Sequence, residues 1–404
     1  MSVADTMRYT LGMSTPDITR PYLVIPKLIE QPTWGGDYIV KSKGWDELAQ
    51  IKIGQSYELF SGSNLSLLTD SASRDFHGEI TDNKAVELST APPDSIQLSK
   101  LVAVDPTAVL GEEVARKNPS INLLIKYTQA LGNSFQVHIP ASLQHPKWLP
   151  KPESWYYFEP GCITLGIKPG IDWVAYEACC RNIDVQIATL GNEVQQGLIS
   201  YEDARLRIAE VVQQDSPTQY VNTVYPVQGQ LVDLSCGALH HSWEEDAALA
   251  PQGNILYELQ LEAMDDVSTF RAYDKGKLFP DGSKRDLQIN EYFEFIDRSD
   301  ALNTPANHLP EPAVLSQADG YVLSSLMRSE SYSLNKLLLS PRTSYEEHLE
   351  TYKHLFVKNG TVRITAGKTT LQVTQGHSCF IPTAAGTYTV EATDTASEIL
   401  VSFV

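Results

Sequence analysis

N-S-F-Q-V-H-I-P occupies residues 133–140, and K-P-E-S-W-Y-Y follows at residues 151–157 after a connection that contains proline and tryptophan. Gln136 and His138 are two residues apart, so a β-strand would present both side chains on the same face. Glu153 opens an aromatic run that predicts the next strand. An amide oxygen, an imidazole and a carboxylate from two neighbouring strands are three ligands that suit zinc.

A second stretch far downstream carries the more telling spacing. Residues 229–240 read G-Q-L-V-D-L-S-C-G-A-L-H. The positions of Gly229, Ser235, Gly237 and His240 resemble the second motif of the cupin family, in which a proline usually stands at the position of Ser235. The stretch from residue 136 to residue 153 stands where the first cupin motif would lie.

Taken in order, these pieces resemble the pattern of the type I mannose-6-phosphate isomerases. In that family a Q-V-H, a K-x-E-x-W-Y and a G-x-x-H together hold one zinc ion. The resemblance implies that Gln136, His138, Glu153 and His240 bind one zinc ion per chain. His241 stays open as an alternative ligand, although it would point to the opposite face of a strand from its neighbour.

The resemblance also implies substrate-binding cations. Lys151 stands where the family has a lysine that contacts the substrate near the metal. Residues 268–274, S-T-F-R-A-Y-D, resemble the family's T-Y-R-x-Y-D, so Arg271 is expected to line the active site. Asp274 is three residues further along and would point to the other face of the strand. We therefore expect the charge of Arg271 to be kept for a substrate anion.

The general base is less certain from the sequence. Glu258 is the first candidate, because G-N-I-L-Y-E-L-Q keeps the family's distance from glycine to glutamate. The section before Arg271 departs from the family pattern, so Glu262, Asp266 and a metal-bound hydroxide stay open as alternatives. The same departure leaves room for a different sugar substrate.

Runs of period two, separated by glycine, proline and asparagine, predict a mainly β chain. The resemblance implies two cupin jelly-roll barrels with a helical insertion. The expected division is an N-terminal, metal-binding and catalytic cupin over residues 1–300 and a C-terminal cupin over residues 313–404. From residue 376 the C-terminal part repeats the cupin spacing but places Thr387 at the ligand position, so it is expected to bind no metal.

The sequence also makes three local predictions, two of helices and one of a strand. Residues 172–216 are expected to form a helical pair, the second helix starting at a capping box at Ser200. Residues 110–118, L-G-E-E-V-A-R-K-N, also predict a helix. Residues 284–289, K-R-D-L-Q-I, resemble a strand of the isomerase family.

The amino-acid composition argues against nucleic acid as a binding partner and against a membrane-spanning segment. The 404 residues include 31 basic and 50 acidic side chains, which give a net charge of −19. Such a charge opposes nucleic-acid binding, and no apolar run approaches the roughly 20 residues of a membrane span. The five cysteines form no C-x-x-C pair, so we expect a reduced, cytoplasmic protein. We also expect a monomer or weak homodimer.

The expected function is a zinc-dependent aldose–ketose isomerase that interconverts mannose 6-phosphate and fructose 6-phosphate through a cis-enediol(ate). The expected ligand is a small-molecule sugar phosphate. Two alternatives stay open: a cupin isomerase for a different sugar, and a sugar-binding cupin without catalysis. An iron-dependent dioxygenase is disfavoured, because such cupins use histidine-rich or facial-triad ligands rather than an amide.

Overall fold

Alternating apolar and polar residues fold most of the chain into β-strands. The structure, a computed structural model, describes residues 16–32, 34–69, 73, 78–82, 91–242 and 250–404. Strands outnumber helices in this part of the chain, and two long helices interrupt them between residues 172 and 216. The prediction of a mainly β chain with a helical insertion is therefore confirmed.

In chain order the strands are β1 (Tyr22–Ile25), β2 (Lys27–Glu30), β3 (Ile53–Leu59), β4 (Asn64–Ser66), β5 (Ile80–Thr81), β6 (Ser95–Gln97), β7 (Leu123–Ala130), β8 (Phe135–His138), β9 (Glu153–Tyr157), β10 (Ile163–Ile167), β11 (Val221–Val224), β12 (Leu231–Asp233), β13 (His240–Ser242), β14 (Asn254–Leu261), β15 (Thr269–Tyr273), β16 (Ala313–Ala318), β17 (Tyr321–Arg328), β18 (Ser333–Leu339), β19 (Ser344–His348), β20 (Lys353–Asn359), β21 (Thr361–Ala366), β22 (Thr369–Thr374), β23 (Ser378–Ile381), β24 (Thr387–Ala392) and β25 (Ser397–Phe403).

The α-helices among the described residues are α1 (Tyr38–Ser42), α2 (Leu98–Val104), α3 (Pro106–Leu110), α4 (Glu112–Lys117), α5 (Trp173–Gln195), α6 (Tyr201–Gln214), α7 (Asp265–Ser268), α8 (Ile289–Phe295) and α9 (Asp300–Asn303). Helix α4 lies inside the stretch 110–118 for which the sequence predicts a helix. None of the helices in the described residues combines the length and apolar character needed to cross a membrane.

The described strands form four sheets. The seven-stranded sheet has the order β12-β9-β14-β7-β3-β2-β5, and the five-stranded sheet has the order β11-β10-β13-β8-β15. The nine-stranded sheet runs β16-β17-β18-β25-β20-β23-β1-β4-β6, and the four-stranded sheet runs β19-β24-β21-β22. All their strand pairs are antiparallel except β2 with β5, as expected for strands joined mostly by short turns.

The sheets and the helices stack in layers, each pair of layers enclosing one apolar core. Helices α5, α6 and α8 pack on the five-stranded sheet, where Val137 and Phe270 contact the helices. The seven-stranded sheet follows, with Trp155 and Leu256 turned toward the five-stranded sheet. Its opposite face, which includes Tyr257, packs on the nine-stranded sheet, and the four-stranded sheet covers the far side.

The helical pair begins at two side-chain caps. The carboxylate of Asp172 accepts hydrogen bonds from the first backbone amides of α5, and the hydroxyl of Ser200 accepts one from the amide of Asp203 in α6. These caps satisfy amides that have no partner inside the helix. Buried Ile183 and Ile208 then join the pair to the core behind the five-stranded sheet.

The prediction of a strand over residues 284–289 is wrong. In the structure no strand forms there; the backbone amide of Gln288 donates to the carbonyl of Arg271, and helix α8 begins at the next residue. Ile289, Tyr292 and Phe293 are buried at helical spacing, so packing against the helical layer outweighs extension of the sheet.

The first described strand belongs to a sheet built mainly from C-terminal strands. Tyr22 in β1 pairs with Phe380 in β23, while Val24 pairs with Leu65 in β4. The sequence places β1 with the N-terminal part of the chain, but its hydrogen bonds tie it to strands beyond residue 313. The nine-stranded sheet is therefore made from both ends of the chain.

A buried ion pair reinforces this connection. The Nζ of Lys43 lies 2.6 Å from the Oε1 of Glu58, and both side chains are fully buried. Ser56 and Ser378 donate hydrogen bonds to the same carboxylate, and Lys43 also donates to the carbonyl of Gly376. A buried charge is tolerated when its partners are this complete.

In the four-stranded sheet, Thr387 begins β24 with an exposed side chain. Its hydroxyl lies 3.5 Å from the Nδ1 of His348. Apolar residues such as Val362 and Ile364 fill the core between this sheet and its neighbour. That the C-terminal part binds no metal stays a prediction.

His354 gives the interface between the seven- and nine-stranded sheets a pH dependence. Its Nδ1 lies 3.1 Å from the hydroxyl of Tyr257, and burial lowers the pKa of His354 to about 3. Below pH 6.5 the unfolded chain binds a proton at this residue that the folded chain refuses. We therefore expect His354 to remove about 2 kcal/mol of unfolding free energy between about pH 7 and about pH 5.

Urea unfolding at both pH values, compared between the wild type and His354→Gln, measures this contribution. Other histidines titrate equally in both proteins, so the difference in pH dependence belongs to His354. An identical loss of stability in both proteins would contradict the assignment.

Candidate metal centre

Strand alternation and register bring four polar side chains into the space between the five- and seven-stranded sheets. Gln136 and His138 share one face of β8, whose other face packs on the helical layer. Gln136 stands opposite His240 of β13 in the antiparallel register. Glu153, the first residue of β9, reaches the same space from the seven-stranded sheet.

The polar atoms of these side chains lie close together. The Nε2 of His138 is 3.2 Å from the Oε2 of Glu153, and the Nε2 of His240 is 4.0 Å from its Oε1. The three ligand atoms all lie within 4.8 Å of one another. The side-chain amide of Gln136 lies 3.0 Å from the Nε2 of His240. We call these four residues the metal cluster.

Backbone carbonyls orient both imidazoles. The Nδ1 of His138 donates to the carbonyl of Ser268 at 3.0 Å, and the Nδ1 of His240 donates to the carbonyl of Ala238 at 2.9 Å. Each Nε2 therefore presents its lone pair to the cluster, the arrangement that metal-binding histidines use. Burial lowers the pKa of His138, and it lowers the pKa of His240 to about 3, so both rings are neutral at neutral pH.

Two buried acceptor atoms of the cluster have no hydrogen-bond partner in the described residues. They are the Nε2 of His138 and the Oε2 of Glu153. Burying two acceptor atoms without a donor between them costs free energy. A cation between the ring of His138 and the carboxylate of Glu153 would satisfy both atoms. Rotation of the Gln136 amide by half a turn brings its oxygen into the same place. The donor set and its unsatisfied lone pairs fit a zinc ion.

The charge of Glu153 is fixed by its surroundings. Burial opposes ionisation, but the Nζ of Lys151, 3.3 Å from Oε2, contributes to a pKa well below the usual value for a carboxyl group. The indole of Trp155 donates a hydrogen bond to Oε1. Glu153 is therefore ionised and oriented when the cluster receives a cation.

Two residues of the metal cluster, Gln136 and Glu153, line a cleft of about 1700 Å³. Side chains of β3, β7, β9 and β14 form one wall, and residues of β8, β15 and helix α6 form the other. Arg271 of β15 stands opposite Gln136 in the register, so its side chain reaches the same space. Lys151, Glu258 and Arg271, which the family resemblance singles out, all line this cleft.

Comparison with solved structures identifies proteins that share this fold. A mannose 6-phosphate isomerase from Bacillus subtilis matches with a TM-score of 0.64 and 15% identity, over 95% of this chain and 100% of that one. The chain shares its fold with solved mannose 6-phosphate isomerases. An isomerase from Salmonella typhimurium, bound to substrate and zinc, matches with a TM-score of 0.58 and 13% identity, over 95% and 99% of the two chains.

The likeness lies in the fold rather than in the sequence. No family model matches the chain, and no curated protein sequence matches it. At identities this low the comparison establishes the cupin-like fold of those isomerases alone. What the site does must therefore be argued from its own residues.

Glu258 has a partner that sequence reasoning missed. The Nζ of Lys126 lies 2.9 Å from the Oε1 of Glu258 and donates to Gln260 at 2.6 Å, and Thr128 donates to the Oε2 of Glu258 at 3.2 Å. Burial and the nearby charge of Glu153 raise the pKa of Glu258, against the opposing effect of Lys126. Glu258 is thus a stronger base than an exposed glutamate.

The two other candidate carboxylates are placed differently. Glu262 accepts hydrogen bonds from the backbone amide and the hydroxyl of Ser61. Asp266 lies in α7 and is not among the described residues that line the cleft. Glu262 and Glu258 both line the cleft, but the carboxylate of Glu262 is engaged by Ser61, so Glu258 stays the first candidate for the base.

The expectation that Arg271 has no protein partner is wrong. Its Nη2 lies 2.8 Å from the Oδ2 of Asp265, while Asp274 pairs with Arg285 instead. Helix α7 turns the chain back over β15, so a residue six positions upstream reaches the arginine. Asp265 carried no signal in the sequence, because strand spacing alone does not foresee this turn.

His145 and His241, the histidines next to the cluster motifs in the sequence, lie outside the cluster. His241 points to the opposite face of β13, where its ring packs at 4.8 Å from that of Phe135 and its Nδ1 lies 3.1 Å from the hydroxyl of Thr164. His145 stacks with Trp148 in the loop before β9. The cluster therefore contains the histidine that cupin spacing selects, His240.

Proposed function

We propose that the protein is a zinc-dependent isomerase that interconverts mannose 6-phosphate and fructose 6-phosphate. The observation that carries the proposal is the metal cluster, whose ligand atoms converge beside a cleft that Gln136 and Glu153 line. The cations Lys151 and Arg271 and the carboxylate Glu258 line the same cleft. The fold shared with a mannose 6-phosphate isomerase bound to substrate and zinc supports the proposal.

We propose Gln136, His138, Glu153 and His240 as the ligands of one zinc ion per chain. A zinc ion held by these residues would supply Lewis-acid polarisation of the sugar carbonyl. The backbone carbonyls that accept from Nδ1 of both histidines keep each Nε2 turned toward the cluster, and Lys151 keeps the carboxylate of Glu153 ionised.

Aldose–ketose isomerisation moves a proton between C1 and C2 through a cis-enediol(ate). Glu258 is the proposed base, since burial raises its pKa and a stronger base takes a carbon-bound proton more readily. Lys126 and Thr128 hold the carboxylate in one orientation. Trp155 and Leu256 line the cleft and make that part of its wall apolar.

Negative charge develops on the substrate oxygens during this proton shift. Lys151 and Arg271, whose side chains are largely shielded from solvent, place positive charge where it would stabilise this negative charge. Both side chains are largely buried and are therefore pre-positioned before the substrate arrives.

A second candidate is the same chemistry on a different sugar. Two observations favour it. The cleft is larger than the roughly 300–1,000 Å³ that holds most small ligands, and the section before Arg271 departs from the family pattern, with Val267 four residues before the arginine. A sugar-binding protein without catalysis is less well supported, since binding alone needs no Lewis acid.

We propose that the part within residues 1–300 binds the metal and catalyses the reaction, and that residues 313–404 bind no metal. The charge of −19 argues against nucleic-acid or anionic membrane partners. We propose a cytoplasmic enzyme that is a monomer or weak homodimer.

Conversion of mannose 6-phosphate to fructose 6-phosphate, followed by NMR with the zinc-loaded protein, tests the proposal. We expect turnover that a chelator abolishes and that added zinc restores. Glucose 6-phosphate and other aldose phosphates, assayed in parallel, separate the two candidates. Absence of turnover on every sugar phosphate, with zinc bound, would leave only a binding role.

A further inference from the structure

A tyrosine stands in line with the proposed base. Tyr57, in β3, pairs with Lys126 in β7, and Lys126 pairs with Glu258 in β14. Directly opposed residues of antiparallel strands point to the same face of a sheet. Accordingly, all three side chains line the cleft, and the Nζ of Lys126 lies 5.9 Å from the centre of the Tyr57 ring.

The ring of Tyr57 is held in place before any ligand arrives. It packs edge-on against Phe60, with ring centres 5.6 Å apart, and it shares a small apolar core with Ile29 and Leu124. Only 3% of the residue is exposed. A packed aromatic side chain loses little further freedom when it binds a ligand, so its hydroxyl is pre-positioned.

The phenol of Tyr57 stays protonated and points into the cleft. Burial raises its pKa, and the negative charges of Asp265, Glu258 and Glu262 raise it further, against the opposing effect of Lys151. These four charged residues all line the cleft. The phenol is therefore a neutral hydrogen-bond donor directed at the space that the four residues share.

We propose that Tyr57 is a specificity-determining residue whose phenol donates a hydrogen bond to a hydroxyl group of the bound sugar. The oxygens of the two reacting carbons are already assigned to the metal cluster, Lys151 and Arg271. The acceptor is therefore a hydroxyl on a carbon that does not react, C3, C4 or C5. The inference rests on the proposed function, since it takes the ligand to be a sugar phosphate.

The consequence is selection by the pattern of hydroxyl groups. A buried donor that loses its acceptor costs free energy, so an analogue without the matching hydroxyl binds more weakly than the complete sugar. Tyr57→Phe keeps the ring against Phe60 and removes the donor. This variant should therefore lose the discrimination and keep the fold.

Calorimetric titration of the zinc-loaded full chain with mannitol 6-phosphate tests the inference without requiring turnover, because this sugar alcohol has no carbonyl group. We expect Tyr57→Phe to bind it about fivefold more weakly than the wild type. The 3-deoxy, 4-deoxy and 5-deoxy analogues are titrated in parallel. One of them should bind the wild type about fivefold more weakly than the parent compound, while Tyr57→Phe binds that analogue and the parent equally.

Tyr257→Phe is the matched control, because it removes a buried phenol hydroxyl from the opposite face of the same sheet. It should lower stability and change the affinity for mannitol 6-phosphate by less than about twofold. Equal affinity of the wild type and Tyr57→Phe, or losses on the deoxy analogues that are the same in both proteins, would overturn the inference. A wild type that binds none of these ligands would overturn it as well.

These results are separable from the assay of the proposed function. A loss of about fivefold in Tyr57→Phe without any isomerisation would keep the sugar contact and remove the isomerase. Normal isomerisation of mannose 6-phosphate, with unchanged binding in Tyr57→Phe, would keep the isomerase and overturn this inference alone.

Discussion

Replacing His240 by alanine is expected to reduce zinc from about one ion per chain to less than about a tenth. The substitution removes one of the two neutral imidazoles of the cluster and leaves Glu153 with a weaker set of neighbours. Lewis-acid help is worth several kcal/mol, so turnover on mannose 6-phosphate should fall by roughly three orders of magnitude or more. Elemental analysis and steady-state kinetics measure the two effects.

His241→Ala is the matched control, since the neighbouring ring is equally buried but lies on the opposite face of β13. It should retain zinc, although loss of the contact with Phe135 lowers stability. If His241→Ala lost the metal and His240→Ala kept it, the ligand would be His241. Equal zinc in both variants would remove the site from this strand.

Arg271→Lys is expected to lower turnover by about two orders of magnitude or more while the fold and the zinc content survive. Lysine keeps the charge, but its donors all sit on one nitrogen, so it lacks the planar fork with which arginine binds Asp265 and presents another nitrogen to the cleft. The loss matches the removal of one pre-positioned donor from a developing negative charge. Circular dichroism, zinc analysis and kcat/KM for mannose 6-phosphate give the three readouts.

Arg285→Lys provides the comparison, because Arg285 also lines the cleft and pairs with an aspartate, at 3.5 Å, but is half exposed. We expect kcat/KM for this variant to stay within about threefold of the wild type. Normal turnover in Arg271→Lys would make Arg271 a structural residue and transfer the catalytic role to Lys151.

The sequence predicted the parts of the molecule that depend on short-range spacing. Two residues at period two place Gln136 and His138 on one face of a strand, and a cap followed by helical spacing marks α6. The fold class followed from the same patterns together with the family resemblance. These features are local, so a single chain read in order contains the information.

The remainder depends on contacts between distant segments. Lys126 meets Glu258 only because β7 and β14 pair in one antiparallel register. Asp265 reaches Arg271 through the turn of a four-residue helix. The strand predicted at residues 284–289 does not form. Helix α8 begins at Ile289 instead, because its apolar side chains pack in the core of the helical layer. Each outcome follows from packing that no local pattern encodes.

The pairing of β1 with β23 also shapes how the chain can fold during synthesis. The ribosome releases β1 long before its partner, because Tyr22 and Phe380 are far apart in the sequence. Domains usually fold as soon as they emerge, but this strand pair cannot form until β23 has left the exit tunnel. Until then the edge of β1 that later pairs with β23 is open, which is the period when chaperones would protect it.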